Sequence, residues 1–341
     1  MTSRFLGLVA LGAALVVAGQ ASAQARLVLY CSSQEEWCQM LVNEFEKATG
    51  IRAAMTRKSS GEVYAQLRAE KASPRADVWW GGTGDPHLQA AEEGLTMAYD
   101  SPMIAELHPW ASALWQTSGR RAVGIYSGAI GFGFNTELLA KKGLPEPKCW
   151  ADLVKPEYKG EIQVANPHSS GTAYTLVATM VQLWGEQPGF DWLKKLNVNV
   201  NQYTKSGAAP IVAAARGETL IGISFMDDIV TQKVRNFPVQ VVAPCEGTGY
   251  EIGAMSIVEG ARNPDAAKRW YDWVLSTPAQ ELGIRAGLSY QTPSNRAAAP
   301  APQGPKLSEI KLINYDFRKL GSAEERRRLL ARWDSDIKTS P

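Results

Sequence analysis

The sequence predicts a two-lobed α/β protein in which each lobe is a mostly parallel sheet flanked by helices, with a cleft at the hinge. Three observations lead to this expectation. Short apolar strands alternate with helices, which is the pattern of a parallel sheet covered on both faces. The chain has 341 residues, more than a single core usually holds. Two long strand-like segments, at 122–135 and 250–261, could each cross between lobes.

The elements of the first lobe follow from the positions of apolar residues. A buried strand is predicted at 27–30, and an amphipathic helix follows it and stops at Gly50. The same order of strand, polar turn and helix recurs at 51–72 and again at 76–94. This repeated order indicates parallel strands joined by helical crossovers.

The same alternation resumes after the first crossing segment. A strand at 160–167 leads into a helix from about Ser170, a helix is predicted at 209–217, and a buried strand at 219–225. A helical pair at 263–287 follows the second crossing. We expect a first lobe of residues 24–127 and 255–310, a second lobe of residues 128–254, and a C-terminal helical segment at 311–341 whose lobe the sequence leaves open.

The N-terminus predicts export. Arg4 precedes an apolar run at 5–19, and small residues at 21–23 form a cleavage site. The run is shorter than the ~20 residues of a membrane span, so residues 1–23 are interpreted as a signal peptide cleaved after Ala23. An uncleaved N-terminal anchor is the alternative. We expect a periplasmic protein.

Four cysteines lie in the exported part, and an even number in an oxidising compartment indicates two disulfides. Four cysteines allow three pairings, between which the sequence alone does not choose. We expect the local pair Cys31–Cys38 and the long-range pair Cys149–Cys245. A zinc site is not expected, because the chain has no CxxC spacing and three histidines.

Composition and motifs argue against several functions. A net charge of +2 argues against a nucleic-acid partner, which needs a surplus of basic residues. The sequence contains no GxSxG, GxxxxGK[ST] or HExxH motif. His168 stands beside Ser169, but neighbours in an extended loop rarely face each other. We expect that the protein is not an enzyme and that it binds no cofactor and no metal. The competing hypothesis is an exported phosphate-ester hydrolase, which turnover would reveal.

Polar turns of small residues follow the predicted strands repeatedly. They are CSSQ at 31–34, KSSGE at 58–62, GGTGD at 81–85, HSSGT at 168–172, KSG at 205–207 and MDD at 226–228. Ligands of open parallel sheets bind outside the carboxyl ends of the strands, where such turns collect. Two facing lobes would therefore enclose a cleft lined by hydroxyls and backbone amides.

The turn at 168–172 predicts an anion site. A helix entrance has unpaired N–H groups and a partial positive charge. Ser170 and Thr172 add hydroxyls, and Gly171 permits close approach to the backbone. A phosphate, phosphonate or carboxylate matches these donors. The alternative is that Ser169 or Ser170 only caps its own helix.

Three carboxylates could bind hydrogen-bond donors or positively charged groups of a ligand. Asp227 and Asp228 follow a buried strand, and Glu251 lies on the second crossing segment, so all three could reach one cleft. Carboxylates there can accept hydrogen bonds from sugar hydroxyls, hold an amine or bind a cation. Either aspartate could instead cap the next helix. Tyr250 could stack on an apolar ligand face or pack at the hinge.

With these features, the mature chain resembles the substrate-binding proteins of ABC importers, in the family that includes ferric-ion binders and the related sugar-phosphate and phosphonate binders. The specific stretches are LVLYCSSQEEW, ADVWWGGTGD, GEIQVANPHSSGTAY, GISFMDD and EGTGYEIGAMSIVEGARNPDAAKRWYDWVLSTPAQE. The resemblance implies the type II periplasmic binding protein fold, an inner-membrane permease as partner, and hinge closure near 126–130 and 252–256. We expect a monomer.

Departures from the ferric binders point to the ligand. Those proteins carry a tyrosine pair where this chain has Asp227 and Asp228, a histidine where it has Gln34, and a glutamate near Gly82 that it lacks. The resemblance to the sugar-phosphate binders implies a phosphorylated small molecule similar to a hexose phosphate; an aminoalkylphosphonate is the first alternative and ferric iron the second. The expected ligand-binding residues are Ser33, Gln34, Ser60, Thr83, Ser170, Gly171, Thr172, Ser206, Asp227, Asp228, Tyr250 and Glu251.

Overall fold

A computed structural model describes residues 26–338, so the expected signal peptide at 1–23 lies outside the described residues. The strands of the described part are β1 (Leu27–Cys31), β2 (Ala53–Arg57), β3 (Val78–Thr83), β4 (Thr96–Met97), β5 (Val123–Asn135), β6 (Ile162–Ala165), β7 (Val200–Thr204), β8 (Ile221–Phe225), β9 (Val239–Val242), β10 (Tyr250–Val258) and β11 (Thr292–Pro293). Its α-helices are α1 (Glu35–Thr49), α2 (Ser60–Ala69), α3 (Gly84–Glu92), α4 (Pro109–Thr117), α5 (Thr136–Lys142), α6 (Gly171–Trp184), α7 (Glu186–Asn199), α8 (Ala209–Ala215), α9 (Met226–Val234), α10 (Pro264–Val274), α11 (Thr277–Gln280), α12 (Leu282–Arg285), α13 (Phe317–Leu320) and α14 (Ala323–Trp333).

The strands form one mixed sheet whose main path runs β2-β1-β3-β10-β5-β8-β6-β7. The α/β prediction is confirmed. Strands β2, β1 and β3 pair in parallel at one end of this path, and β8, β6 and β7 do so at the other. The long strands β5 and β10 pair antiparallel with each other and with their neighbours, because the chain runs outward along one and back along the other.

The crossing strands come closest where glycines remove side chains. A Cβ atom on Gly253 would lie 1.8 Å from the ring of Tyr126, so only glycine permits this approach of β10 to β5. A Cβ atom on Gly128 would lie 2.7 Å from the Oδ1 atom of Asp227. The aspartate that follows β8 therefore reaches the middle of β5.

Two large apolar clusters lie on either side of the crossing. The first includes Leu29, Ile125 and Trp270, whereas the second begins at Ile130 and includes Phe225. A lobe boundary at 127/128 agrees with this change of cluster but stays a prediction. Helix α14 packs on the second cluster through Leu329, Leu330 and Trp333, which gives the C-terminal helix the location that the sequence left open.

Both expected disulfides are present. Cys31 pairs with Cys38 and closes the turn between β1 and α1, whereas Cys149 pairs with Cys245 across 96 positions of the chain. Between residues 26 and 338, no helix combines the length and the apolar character that crossing a membrane requires.

Candidate ligand-binding site

A cavity of about 550 Å³ opens where the turns after β1, β2, β3, β6, β7 and β8 meet. It is bounded by β5 and β10 through Tyr126 and Glu251. All the expected ligand-binding residues except Tyr250 line it, namely Ser33, Gln34, Ser60, Thr83, Ser170, Gly171, Thr172, Ser206, Asp227, Asp228 and Glu251. Strand β3 runs toward the middle of β5 from one end of that strand and β8 runs toward it from the other, so the carboxyl ends of the two parallel sets face each other. Turns that are far apart in sequence therefore meet in one place.

The helix entrance at Ser170 both caps itself and faces the cavity. Ser170 is the N-cap residue of α6, and its Oγ atom accepts a hydrogen bond from the N–H of Ala173 at 3.4 Å. That distance is long for an N–H···O bond. The N–H groups of Gly171 and Thr172 have no acceptor among residues 26–338. Two backbone donors thus remain available to an anion.

Thr83 and Gly171 come from different walls of the cavity and pack tightly against each other. Thr83 is 2% exposed, and within the described chain its Oγ1 atom has no hydrogen-bond partner. A Cβ atom on Gly171 would lie 2.1 Å from this oxygen, and one on Gly207 would lie 2.0 Å from the Oγ1 atom of Thr172. The hydroxyls therefore converge because two glycines leave room for them. We call this part of the cavity, formed by Ser33, Ser60, Thr83, Ser170–Thr172 and Ser206, the anion pole.

Arg57 also belongs to the anion pole, although it was not among the expected residues. Its Nε atom donates to the carbonyl oxygen of Ser33 at 3.1 Å, Nη1 to Ser59 Oγ at 3.2 Å and Nη2 to Ser206 Oγ at 3.1 Å. A guanidinium has five N–H donors, so these contacts with described residues leave two for a ligand. Burial lowers the pKa of Arg57, but an arginine stays charged at neutral pH.

Three carboxyl groups also line the cavity, namely Asp227, Asp228 and Glu251, and we call them the carboxyl pole. Asp228 accepts hydrogen bonds from Ser224 Oγ at 2.8 Å and from the side-chain amide of Gln34. Glu251 accepts one from Gln291 Nε2 at 2.9 Å. Asp227 is 5% exposed, and its Oδ1 atom has no partner in the described part of the chain.

The capping alternative for the two aspartates does not hold. The N-cap residue of α9 is Phe225, so Asp227 and Asp228 lie inside the first turn of the helix. Negative charge is favoured there by the helix dipole. The helix dipole therefore favours the negative charge of both aspartates, although neither of them is the N-cap residue.

Burial raises the pKa of every carboxyl in this pole. For Asp227 the nearby charge of Asp228 raises it further, and for Glu251 both aspartates do. Burial raises the pKa of Asp228 to about 6, although its hydrogen bonds and the charge of Arg57 oppose this shift. Three carboxyl groups close together and away from water repel one another when they ionise.

We expect Glu251→Gln to stabilise the ligand-free protein at pH 8 and to have little effect at pH 5. A carboxyl with a raised pKa contributes its full stability at low pH and loses it as the pH rises through that pKa. Removing it should raise the thermal midpoint by roughly 3 °C at pH 8, because the buried site disfavours the ionised carboxylate that the unfolded chain adopts freely at that pH. Scanning calorimetry at both pH values measures the difference.

The matched control is Glu218→Gln, which replaces an exposed glutamate of the same cavity and should change the midpoint at neither pH. An equal gain for Glu251→Gln at pH 5 and pH 8 would contradict the assignment to carboxyl repulsion.

Tyr250 lies outside the cavity wall. Its ring packs edge-on against Phe317 and Tyr315, with centroids 5.3 and 6.1 Å away. Side chains alternate along β10, so Glu251 faces the cavity and its neighbour Tyr250 cannot. The structure thus places Tyr250 where the packing alternative expects it and not on the cavity wall.

Several glutamines of the wall were also not expected. Gln163, Gln202 and Gln291 line the cavity, and Gln291 reaches Glu251 from the segment beside β11. Isolated glutamines carry no motif, so the sequence offers no signal that would find them. They supply amide donors and acceptors to the cavity wall.

Three hydrogen bonds join the wall formed by residues at or after the ends of β1 and β2 to the wall formed by residues after β6, β7 and β8. The amide of Gln34 donates to Asp228, Arg57 donates to Ser206, and the N–H of Gly61 donates to the carbonyl oxygen of Ser169 at 3.0 Å. The walls are therefore in direct contact around the cavity. His168 takes no part, since its ring nitrogen contacts Asp334 at 2.9 Å.

The chain belongs to a family of solute-binding proteins. The family model described as "Bacterial extracellular solute-binding protein" matches residues 76–319, which confirms the resemblance seen in the sequence. An uncharacterized protein of Haemophilus influenzae is 47% identical over 329 residues, covering 96% of this chain and 95% of its own length.

Two solved structures of periplasmic binding proteins are similar over most of the chain. AfuA from Actinobacillus pleuropneumoniae, with exogenous fructose 6-phosphate bound, is 45% identical, has a TM-score of 0.89, and is matched over 92% of this chain and 99% of its own. P5PA is 41% identical with the same TM-score and the same coverage.

Proposed function

We propose that this protein is a periplasmic receptor of an ABC importer that binds a phosphorylated sugar similar to a hexose phosphate and delivers it to the membrane permease. The observation that carries the proposal is that one cavity is lined both by the donors of the anion pole and by the acceptors of the carboxyl pole. The similarity to AfuA, which was solved with fructose 6-phosphate, supports the same class of ligand. The proposal includes export and removal of residues 1–23.

In this proposal the phosphate binds at the anion pole. The free N–H groups of Gly171 and Thr172, the hydroxyl of Thr83 and the guanidinium of Arg57 would donate to its oxygens. A helix start and an arginine are the usual partners of a phosphate group. The sugar hydroxyls then face the carboxyl pole, where the partnerless oxygen of Asp227 would accept a hydrogen bond.

Closure around the ligand follows from the same proposal. Residues 126–130 of β5 and 252–256 of β10 would form the hinge, because these two strands connect the parallel ends of the sheet. The hydrogen bonds between Gln34 and Asp228 and between Arg57 and Ser206 would form as the sides meet. The permease would then recognise the closed form.

Calorimetric titration of the purified protein tests this function. We expect fructose 6-phosphate to bind about a hundredfold or more tightly than fructose or inorganic phosphate, since each of these lacks the partner of one pole. No free phosphate should appear on prolonged incubation, which also tests the hydrolase alternative. Binding of fructose as tight as that of fructose 6-phosphate would contradict the proposal, and steady phosphate release would replace it with an enzyme.

An aminoalkylphosphonate is the second candidate. Its phosphonate suits the anion pole, and its ammonium could pair with Asp227, whose Oδ1 atom has no partner within residues 26–338. Titration with 2-aminoethylphosphonate in parallel distinguishes the two ligands. Ferric iron is the third candidate, and a charge-transfer band on iron loading would identify it, although the cavity wall lacks the tyrosine pair typical of such sites.

A further inference from the structure

The C-terminal helix α14 carries a buried arginine that contacts the turn before α6. Arg326 is 4% exposed, and its Nη2 atom donates to the carbonyl oxygens of Pro167 and His168 at 3.2 and 3.3 Å. Its guanidinium carbon also lies 4.6 Å from the centroid of the Tyr174 ring. The two following residues of the chain, Arg327 and Arg328, are exposed instead.

No carboxylate of the described residues neutralises this guanidinium directly. Arg326 has no ion pair within 4.0 Å there, and its Nη1 atom has no hydrogen-bond partner. The acidic group that interacts with it through space is the buried Asp85 of α3, whose Oδ2 atom accepts from the hydroxyl of Tyr315 at 2.9 Å. A buried charge without close compensation is unusual, because it raises the free energy of the folded state.

The guanidinium lies directly behind two helix starts that form the anion pole. A Cβ atom on Gly61, at the start of α2, would lie 3.1 Å from Arg326 Nη2 and 2.1 Å from the carbonyl oxygen of His168. The N–H of Gly61 donates to Ser169 at 3.0 Å, so the starts of α2 and α6 are joined through this turn. Arg326 itself is absent from the cavity wall.

We propose that Arg326 is a positioning residue for the anion pole: it holds the Pro167–Ser170 turn through two carbonyl oxygens and adds positive charge behind the phosphate without touching it. This inference rests on the proposed function. Carbonyl groups that point toward a guanidinium leave the N–H side of the same turn for the ligand. The uncompensated charge further favours an anion, because attraction between charges persists over several ångströms in a poorly solvated region.

The test compares four variants by titration with fructose 6-phosphate at pH 8. Arg326→Met should weaken binding by about tenfold or more, and Arg326→Lys should recover most of that loss, since the charge returns. Asp85→Asn keeps an acceptor for Tyr315 but removes a negative charge near Arg326, so it should strengthen binding by about threefold. Arg328→Met, an exposed arginine of the same helix paired with Glu186, should stay within about twofold of wild type.

The Asp85→Asn variant separates this role from simple support of the fold. A purely structural role predicts that removing a buried carboxylate leaves binding unchanged or weakens it, which would overturn the proposal. It would also be overturned if Arg326→Met bound normally, or if Arg326→Lys bound as weakly as Arg326→Met. If Arg326→Met does not fold, the affinities of Arg326→Lys and Asp85→Asn test the proposal. Failure of the unsubstituted protein to bind fructose 6-phosphate would overturn the proposed function itself, and the inference with it.

Discussion

Replacing Arg57 by glutamine is expected to weaken sugar-phosphate binding by about a hundredfold or more, because the loss of a buried charged partner typically costs about 2–5 kcal/mol. Arg57 is the guanidinium among the wall residues of the anion pole, and three of its donors are held by Ser33, Ser59 and Ser206. The contacts with Ser33 and Ser59 would fix its orientation before the ligand arrives, and the contact with Ser206 would form on closure. Calorimetric titration of Arg57→Gln with fructose 6-phosphate measures the loss.

Arg216→Gln provides the matched control. Arg216 lines the same cavity but is exposed, and its guanidinium has no hydrogen-bond or ion-pair partner within the described chain. Its replacement should change the affinity by no more than about threefold, since exposed charges are screened by solvent. Similar losses in both variants would mean that general positive charge, rather than the fixed guanidinium of Arg57, attracts the ligand.

The sequence predicted the turns of the site but not this arginine, and the reason is physical. Arg57 is the last residue of β2, and Lys58 follows it. A basic pair at the end of a strand is usually solvated, and neighbouring side chains point to opposite faces. The choice between them depends on the pairing of Arg57 with Cys31 in β1, which directs its side chain toward the turn after that strand. The strand residue that pairs with Arg57 cannot be identified from the sequence next to Arg57.

Features that depend on local chemistry were predicted well. The small hydroxyl residues in five of the turns, the N-cap at Ser170 and the glycine at 171 are all properties of short segments. The exception is Tyr250, which the motif placed beside Glu251 although strand alternation sends the two side chains to different faces. The motif predicted that Glu251 reaches the cavity, as it does in the structure, whereas strand alternation directs the side chain of Tyr250 away from it.

The contribution of the C-terminal segment could not be predicted at all. Helix α14 has an apolar face that would suit either lobe, and its location depends on which surface remains uncovered once the rest of the chain has folded. In the structure it packs on the second apolar cluster, and it also reaches α3, where Glu92 accepts a hydrogen bond from the N–H of Ala323 at 2.8 Å. A segment without any binding motif thus supports the anion pole from behind.

Asp227→Ala is expected to weaken binding of fructose 6-phosphate by about tenfold to a hundredfold while leaving the affinity for inorganic phosphate within about twofold. The Oδ1 atom of Asp227 is buried without a partner among residues 26–338, whereas Asp228 and Glu251 already accept hydrogen bonds there. A sugar hydroxyl would provide the missing donor, and inorganic phosphate has no group that extends to this pole. Titration of the variant with both ligands measures the two affinities separately.

The ratio of the two affinities decides what Asp227 does. Equal losses for fructose 6-phosphate and inorganic phosphate would show that the substitution disturbs the whole cavity, and no loss for either would remove Asp227 from the site. Asp227→Asn serves as the matched variant, because it keeps a side-chain oxygen and removes the ability to ionise. If this variant binds fructose 6-phosphate within about threefold of wild type, then hydrogen bonding rather than charge is what Asp227 contributes. A full loss would instead assign the contribution to its charge, and would favour the ammonium of an aminoalkylphosphonate over a sugar hydroxyl as its partner.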